Sequence, residues 1–567
     1  MILILLPMLN LCCSMGAKGH DEIAYIDPVL NVWQEVYVLG VDYGESTFLC
    51  KEEIYTYSTT CTESFMGIAE LYMIDNVITE IHPADFMDSG VITWLRADAV
   101  LIDDAREYQT TGELSVYRIH EDGSVVTGTV SDLIFGASSL EFYGTNGYVC
   151  QAVYKEAPHT DEIRVLLKND DEGCASFSEG YLCSDGILTV DGVTQEAGVV
   201  WNAREYLGNS GRRYADVSVA DCHQKIYRCD ESGRKITNGY EGTFRVWLEE
   251  DRIIYVNTVP LEDYVRYVLP SEMLSSFVDE AYKVQAVCAR TYALSQMPNA
   301  QYAAYGANLD DSTMYQVYNE LGESARCNEA VTETTGQVIT CDNAIICCYY
   351  FSTTPGTTDG LTLWEEEDVP YLIPHNFTKA DYDLTAGSNV LRFLKDPELT
   401  CYDSDSSFYR WEAKLCFDDE SLEEYADEEL GQLVSFKVTK RSEAGYVCGM
   451  VVQYEKGIKQ LHQELQVRRF LGKYMSSLTL SNGKVRRDFT LIPCAFCAWE
   501  NGEEVKVEAL PEDKCITLLG GGFGHGIGMS QYGANAMACD GMDYVSIIQA
   551  YYEGVQVVDQ KTIDVWK

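Results

Sequence analysis

The chain has 567 residues, with 89 Asp and Glu against 41 Lys and Arg, a net charge of −48. Such a surface speaks against nucleic acid as a partner, because phosphate must be met by basic patches. With 46% apolar residues and a mean hydropathy of −0.15, the composition is that of a folded globular chain, and its length calls for two or three domains.

Residues 1–19 open on an apolar run, MILILLPMLNLCCSM, too short to span a bilayer and similar to the apolar core of a secretion signal. It lacks a preceding basic segment and a small-x-small cleavage site, and Leu11 and Cys12 are poor neighbours for a lipid-anchored Cys13. Residues 20–155 read as short alternating strands, among them 32–41, 90–102 and 124–130, with no catalytic constellation and no repeat. Further strands begin at 162–169, and 244–265 reads as a hairpin leading into a helix start.

The pattern changes at 279–294, DEAYKVQAVCARTYAL, which is rich in Ala and free of Gly and Pro and predicts a helix. Lys283 and Arg290 lie seven residues apart and share a face. Strand signals return at 336–341 and 344–353, before the turn-prone TPGTTDG of 354–360. The acidic stretch 421–434 predicts a solvated helix, and ELQVRRFLG over 464–472 predicts another. Short helices are expected over 530–539 and 543–554, the second ended by Gly554.

The glycine-rich loop GGGFGHGIG over 520–528 fails the spacing of a dinucleotide fingerprint, a phosphate loop and a nucleophile elbow. What remains is a loop whose glycines permit close backbone approach and which presents one imidazole, His525. A tight turn with a hydrogen-bonded histidine is the plainer alternative. Glu272 stands in VLPSEMLSSF, placed by the pattern in a loop near a helix start and near Lys283 and Arg290. A carboxyl group in an apolar pocket acts as a general acid when its pKa is raised; a capping or surface glutamate is the alternative. The 21 cysteines are odd in number, and Cys494 and Cys497 form a lone C-x-x-C, so buried free thiols are expected.

Taken together, VNTVPLEDYVRYVLPSEM (256–273), EAYKVQAVCARTYAL (280–294), YYFSTTPGTTDG (349–360), WEEEDVPYL (364–372) and GGGFGHGIGMSQYGANAMA (520–538) occur in the order found in the stage II sporulation protein D family. The resemblance runs over 162–556, and it implies exported proteins of the bacterial cell wall, active outside the cytoplasm. Some members are lytic transglycosylases that cut denuded peptidoglycan strands; others were named as enhancers of a wall amidase. It implies Glu272 as the catalytic residue. As substrate-binding residues it implies Lys283 and Arg290 on the helix, Ser352 and Thr353 at the strand end, and His525, Gln531 and Tyr532 at the loop.

Peptidoglycan glycan strands are the implied substrate, with a wall amidase or septal membrane proteins as partners and with no cofactor. Some members bind zinc through Cys and His after the first helix. Here that stretch is DDSTMYQVY (310–318), so no metal is expected there. A hydrolase would need a second carboxylate, for which Glu365, Glu366, Glu367 and Asp368 are candidates, although the run also reads as a solvated loop. The expected architecture is β-rich α+β: a mostly β amino-terminal domain over 20–155 and a catalytic domain over 162–556. In the latter, sheets support a groove lined by the Glu272 segment, the 280–294 helix and the 520–533 loop. A structural role centred on the amino-terminal region, with a degenerate wall domain, is the least favoured reading.

Overall fold

The computed structural model describes residues 30–562, apart from 43, 51–52, 121, 138–139, 156–159, 170–173, 222–223, 320, 365–366 and 501. The leading apolar segment with Cys12 and Cys13, and the acids Glu365 and Glu366, lie outside the described residues. The fold is a β-rich α+β arrangement. Its internal contacts divide into two compact units, Met1–Pro260 with Met297–Asp311, and Leu261–Gln296 with Ser312–Lys567.

The first unit is built on sheets. Leu30–Asp42 is the centre of a five-stranded antiparallel sheet, flanked by Glu45–Cys50 and Gly67–Ile74. Its alternating apolar residues bury one face, with Val36, Val38, Phe48, Leu71 and Ile78 as the core. In a second sheet Arg106–Ile119 pairs in parallel with Tyr148–Tyr154 around Ile92, Val100, Val116, Phe142 and Val149. The expected strand over 90–102 is two strands, Ile92–Leu95 and Ala99–Ile102, because the polar turn between them folds the pair back on itself. A third sheet joins Tyr214–Val219, Thr243–Glu249, Arg252–Pro260 and Glu162–Leu166. Helix α1 (Ala203–Ser210), capped by Asn202 and ended by Gly211 in the left-handed region, packs on it.

In the second unit α2 (Leu261–Glu272) leads to α3 (Asp279–Gln296). Every residue of α3 from Ala281 to Leu294 except Lys283 is buried, so this is a central helix, apolar or small nearly all round. Against it lie α4 (Ala325–Glu333) and the strand Gln337–Cys341. Two further sheets are centred on Trp411–Cys416 and on Leu433–Arg441 with Val447–Tyr454. The remaining helices are α5 (Gly387–Lys395), α6 (Asp419–Glu424), α7 (Glu464–Lys473), α8 (Gln531–Cys539) and α9 (Tyr544–Tyr551).

Two expectations over this stretch are corrected. The acidic helix stops at Glu424, and Leu433 already begins a strand, because Asp427 and Gly431 close a turn between them. Residues 344–353 do not form one strand. Ala344–Ile345 pairs with Gln337–Cys341, while Tyr350–Phe351 turns to pair in parallel with Met529–Ser530. That second pairing brings the middle of the sequence to the glycine-rich loop. Among the described cysteines, Cys416 and Cys515 form a disulfide and sixteen are free.

Candidate functional site

Glu272 is the last residue of α2, and so closes a helix rather than standing in a loop. It follows Pro270, which the helix accommodates in its last turn. The side chain is half-buried. Its Oε1 accepts the Val317 amide at 2.9 Å, and its backbone carbonyl accepts Gln531 Nε2 at 3.2 Å. Beneath it runs a phenol–amide chain: Tyr264 Oη donates to Gln316 Oε1 at 3.1 Å, and Gln316 Nε2 donates to Tyr350 Oη at 3.0 Å. Burial, with the nearby charge of Glu272 adding to it, pushes the Tyr350 phenol well above its usual value.

The parallel pair Tyr350–Phe351 and Met529–Ser530 sets the rest. Ser352 is half-buried, and its carbonyl accepts both the Tyr532 amide at 3.0 Å and the Ser530 hydroxyl at 3.2 Å. Thr353 is fully buried, and its hydroxyl shares a hydrogen bond with Ser406 at 2.8 Å. The Tyr532 ring meets Phe277 edge-on, with centroids 5.1 Å apart. Thus Glu272, Ser352, Gln531 and Tyr532 are drawn together around one short strand pair.

His525 is tied to the same strand by its backbone-facing nitrogens. Nδ1 accepts the Ile527 amide at 3.1 Å, which leaves the proton on Nε2 to bond the Tyr350 carbonyl at 3.0 Å. Tyr349, Phe351 and Trp364 surround the ring, with centroids 6.3, 5.4 and 5.2 Å away. Burial and the charge of Arg468 bring its pKa down to about 4, against the pull of the Tyr350 carbonyl, so the imidazole is neutral. The loop glycines serve packing against the chain itself. Gly528 has φ +76, and a Cβ there would strike the Tyr349 carbonyl; one at Gly526 would strike the Tyr446 ring.

The two helix cations face other partners. Arg290 is fully buried: Nε and Nη2 grip both oxygens of Glu262 at 2.8 and 2.6 Å, and Nη1 bonds the Gln337 carbonyl at 3.1 Å. Lys283 is held between Glu280 and Glu333, each at 2.7 Å, which raises its pKa. Glu367 and Asp368 are exposed, while the thiols of Cys494 and Cys497 are buried and pushed up to about 12. Among the described residues no group of three His, Cys, Asp or Glu converges as a metal site.

Residues 249–341, which contain Glu272, Lys283 and Arg290, match the family model described as Stage II sporulation protein. Those residues therefore form a domain of the stage II sporulation protein type, and about half of the chain is similar to curated proteins of that kind. Stage II sporulation protein D of Bacillus subtilis is 28% identical over 316 residues, covering 53% of this chain and 75% of that protein. The amidase enhancer of the same organism is 29% identical over 305 residues, 51% of this chain and 39% of its own length. An uncharacterised protein of Brachyspira hyodysenteriae is 27% identical over 335 residues, covering 58% of this chain and 76% of its own.

Residues 359–528 match a domain of unknown function, DUF8618. Ser352, Thr353, Gln531 and Tyr532 lie outside both matched segments of this stage II sporulation protein D relative. Two residues near Glu272 carry no mark in the sequence. Gln316 and Tyr350 sit in runs that look like ordinary core, and only the tertiary fold sets them beside the acid. Asp403, which bonds Thr354 and Ser530, is unmarked as well. Its neighbours Thr354 and Ser530 are 49 and 127 residues away, so no local pattern marks it.

Proposed function

We propose that this chain is a lytic transglycosylase of the bacterial cell wall, cutting peptidoglycan glycan strands with Glu272 as its one general acid and base. The observation that carries the reading is the setting of Glu272. It is a half-buried carboxyl on a rigid helix end, fixed by the Val317 amide and surrounded by Tyr350, Gln316 and Gln531, within the segment that matches the family model.

The chemistry suits one acid. A glycosidic oxygen leaves poorly unless protonated, and a positioned acid contributes roughly 10²–10⁴-fold. Once Glu272 has given up its proton, its carboxylate takes one from the C6 hydroxyl of the same muramic acid. That oxygen closes on C1, and a 1,6-anhydro end results. The proton returns to Glu272, so the cycle balances with no second carboxylate, in contrast to ordinary glycosidases. Gln531, which bonds the Glu272 carbonyl, would line the strand-binding surface together with its neighbours Ser352 and Tyr532. The role of Arg290 and Lys283 is then to hold α2, α3 and α4 in place through Glu262, Glu280 and Glu333.

Action outside the cytoplasm fits the wall substrate. The Cys416–Cys515 disulfide fits an oxidising compartment. Among the described residues no helix is long and apolar enough to cross a membrane. A second reading, a strand-binding enhancer of a wall amidase, is favoured by the likeness to the amidase enhancer. Wild type and Glu272→Gln incubated with strands stripped of stem peptides separate the two. Anhydro-ended fragments from wild type alone support the transglycosylase. Reducing ends would indicate a hydrolase, and binding without fragments would support the enhancer.

A further inference from the structure

Asp403 is a buried acid that the proposed chemistry leaves unused. Its side chain is only 1% exposed. Oδ1 accepts the Thr354 amide at 2.9 Å and the Ser530 hydroxyl. Ser530 is itself committed twice more: its oxygen caps α8 by accepting the Gly533 amide at 3.3 Å, and its hydroxyl lies 3.2 Å from the Ser352 carbonyl.

A hydroxyl has one proton to give. When Asp403 is ionised, the Ser530 proton goes to the carboxylate. When Asp403 carries its proton on Oδ1, the acid donates to Ser530 and frees the hydroxyl proton for the Ser352 carbonyl. Ser530 is followed directly by Gln531, whose side chain holds the Glu272 carbonyl, and by Tyr532, whose amide bonds Ser352.

We propose that Asp403 is a positioning residue for the Glu272 site, acting through Ser530, and that its charge state sets how Ser352 and Gln531 are held against the acid. The inference rests on the reading of Glu272 as the reacting group. Burial raises the Asp403 carboxyl to about 7, against the pull of the Ser530 hydroxyl and the Thr354 and Gly533 amides. Both charge states therefore lie within the ordinary working range. The other titratable groups facing it are Cys401, Tyr446 and Tyr551, each with its pKa raised and each neutral there. The buried Tyr551 hydroxyl, which has no hydrogen-bond partner among the described residues, crowds Gly533 together with Asp403.

The test uses the full chain as wild type, Asp403→Asn, Ser530→Ala and Glu272→Gln. Asn is isosteric and keeps an oxygen for Thr354 and Ser530. Cleavage of denuded strands is followed from about pH 5 to about pH 9, together with amide exchange over residues 529–535 corrected for the intrinsic rate. Wild type should change by about tenfold in kcat/KM, and in protection of the Tyr532 and Gly533 amides, as Asp403 titrates. Asp403→Asn and Ser530→Ala should each flatten both curves to within about twofold while the proteins stay folded. Curves that keep their wild-type shape in Asp403→Asn, merely scaled, would overturn the proposal, because a bracing role alone gives that result. Full cleavage by Glu272→Gln, or none by wild type, would overturn the function instead. The exchange curves would then still decide the role of Asp403.

Discussion

Both nitrogens of His525 are bonded to backbone, so its protonation costs the fold a hydrogen bond as well as desolvation. Its folded pKa of about 4 lies below the ordinary value of 6.5. The unfolded chain therefore binds the extra proton first, and stability is lost as pH falls through that window. For a half-buried ring the loss is on the order of 1–2 kcal/mol. In urea titrations, wild type should lose that much more than His525→Gln between about pH 7 and about pH 4.5. Equal losses would show that the ring is protonated in the native state.

The residue scale also shows what the sequence could reveal. Glu272 stands out in the sequence through a long motif with a fixed order of neighbours, but the pattern put it in a loop and the structure puts it at the end of α2. His525 was legible as a hydrogen-bonded turn histidine from its glycines alone. Asp403, Gln316 and Tyr350 were not, since each takes its setting from contacts 34 or more residues away.

At the scale of elements, α3 was plain from composition, and the structure extends it only to Gln296. Its cations were misleading, because spacing puts Lys283 and Arg290 on one face without saying what faces them. Arg290 proves to be the buried clamp between α2, α3 and the strand at Gln337. Removing one member of such a pair costs about 3–5 kcal/mol, because the other charge is stranded. Arg290→Met should destabilise by that amount in denaturant unfolding. Adding Glu262→Gln should recover at least about 1 kcal/mol of it, as expected for coupled neighbours. Purely additive losses would mean the pair is not a unit. The strand at 344–353 broke for a comparable reason: each half found a different partner, and pairing across 179 residues is invisible to a local pattern.

Over longer spans the disulfide joins neighbouring antiparallel strands, Trp411–Cys416 and Cys515–Gly520, across a sequence separation of 99. Closing so long a loop removes much freedom from the unfolded chain and stabilises by about 2–4 kcal/mol. Reduction should lower the melting temperature, and Cys416→Ser with Cys515→Ser should match the reduced wild type. A melting temperature indifferent to reductant would show that the bridge adds nothing to the fold.

The net charge of −48 bears on the whole molecule and on its proposed substrate together. Where a sacculus retains anionic polymers, the two surfaces are of like sign and repel over about a Debye length, roughly 30 Å at 0.01 M salt and 8 Å at 0.15 M. A protein that binds through its own cations, as nucleic-acid binders do, loses affinity as salt rises. This chain should do the opposite on sacculi that retain their anionic polymers: binding should rise several-fold between those two salt concentrations. On sacculi stripped of those polymers, contact is left to the polar groups around Glu272, and binding should be nearly flat with salt. The contrast is measured by sedimentation of the protein with each preparation. Binding that falls with salt on both would mean that a local basic surface dominates. The Lys and Arg residues would then have to be sought outside the ion pairs that hold Lys283 and Arg290.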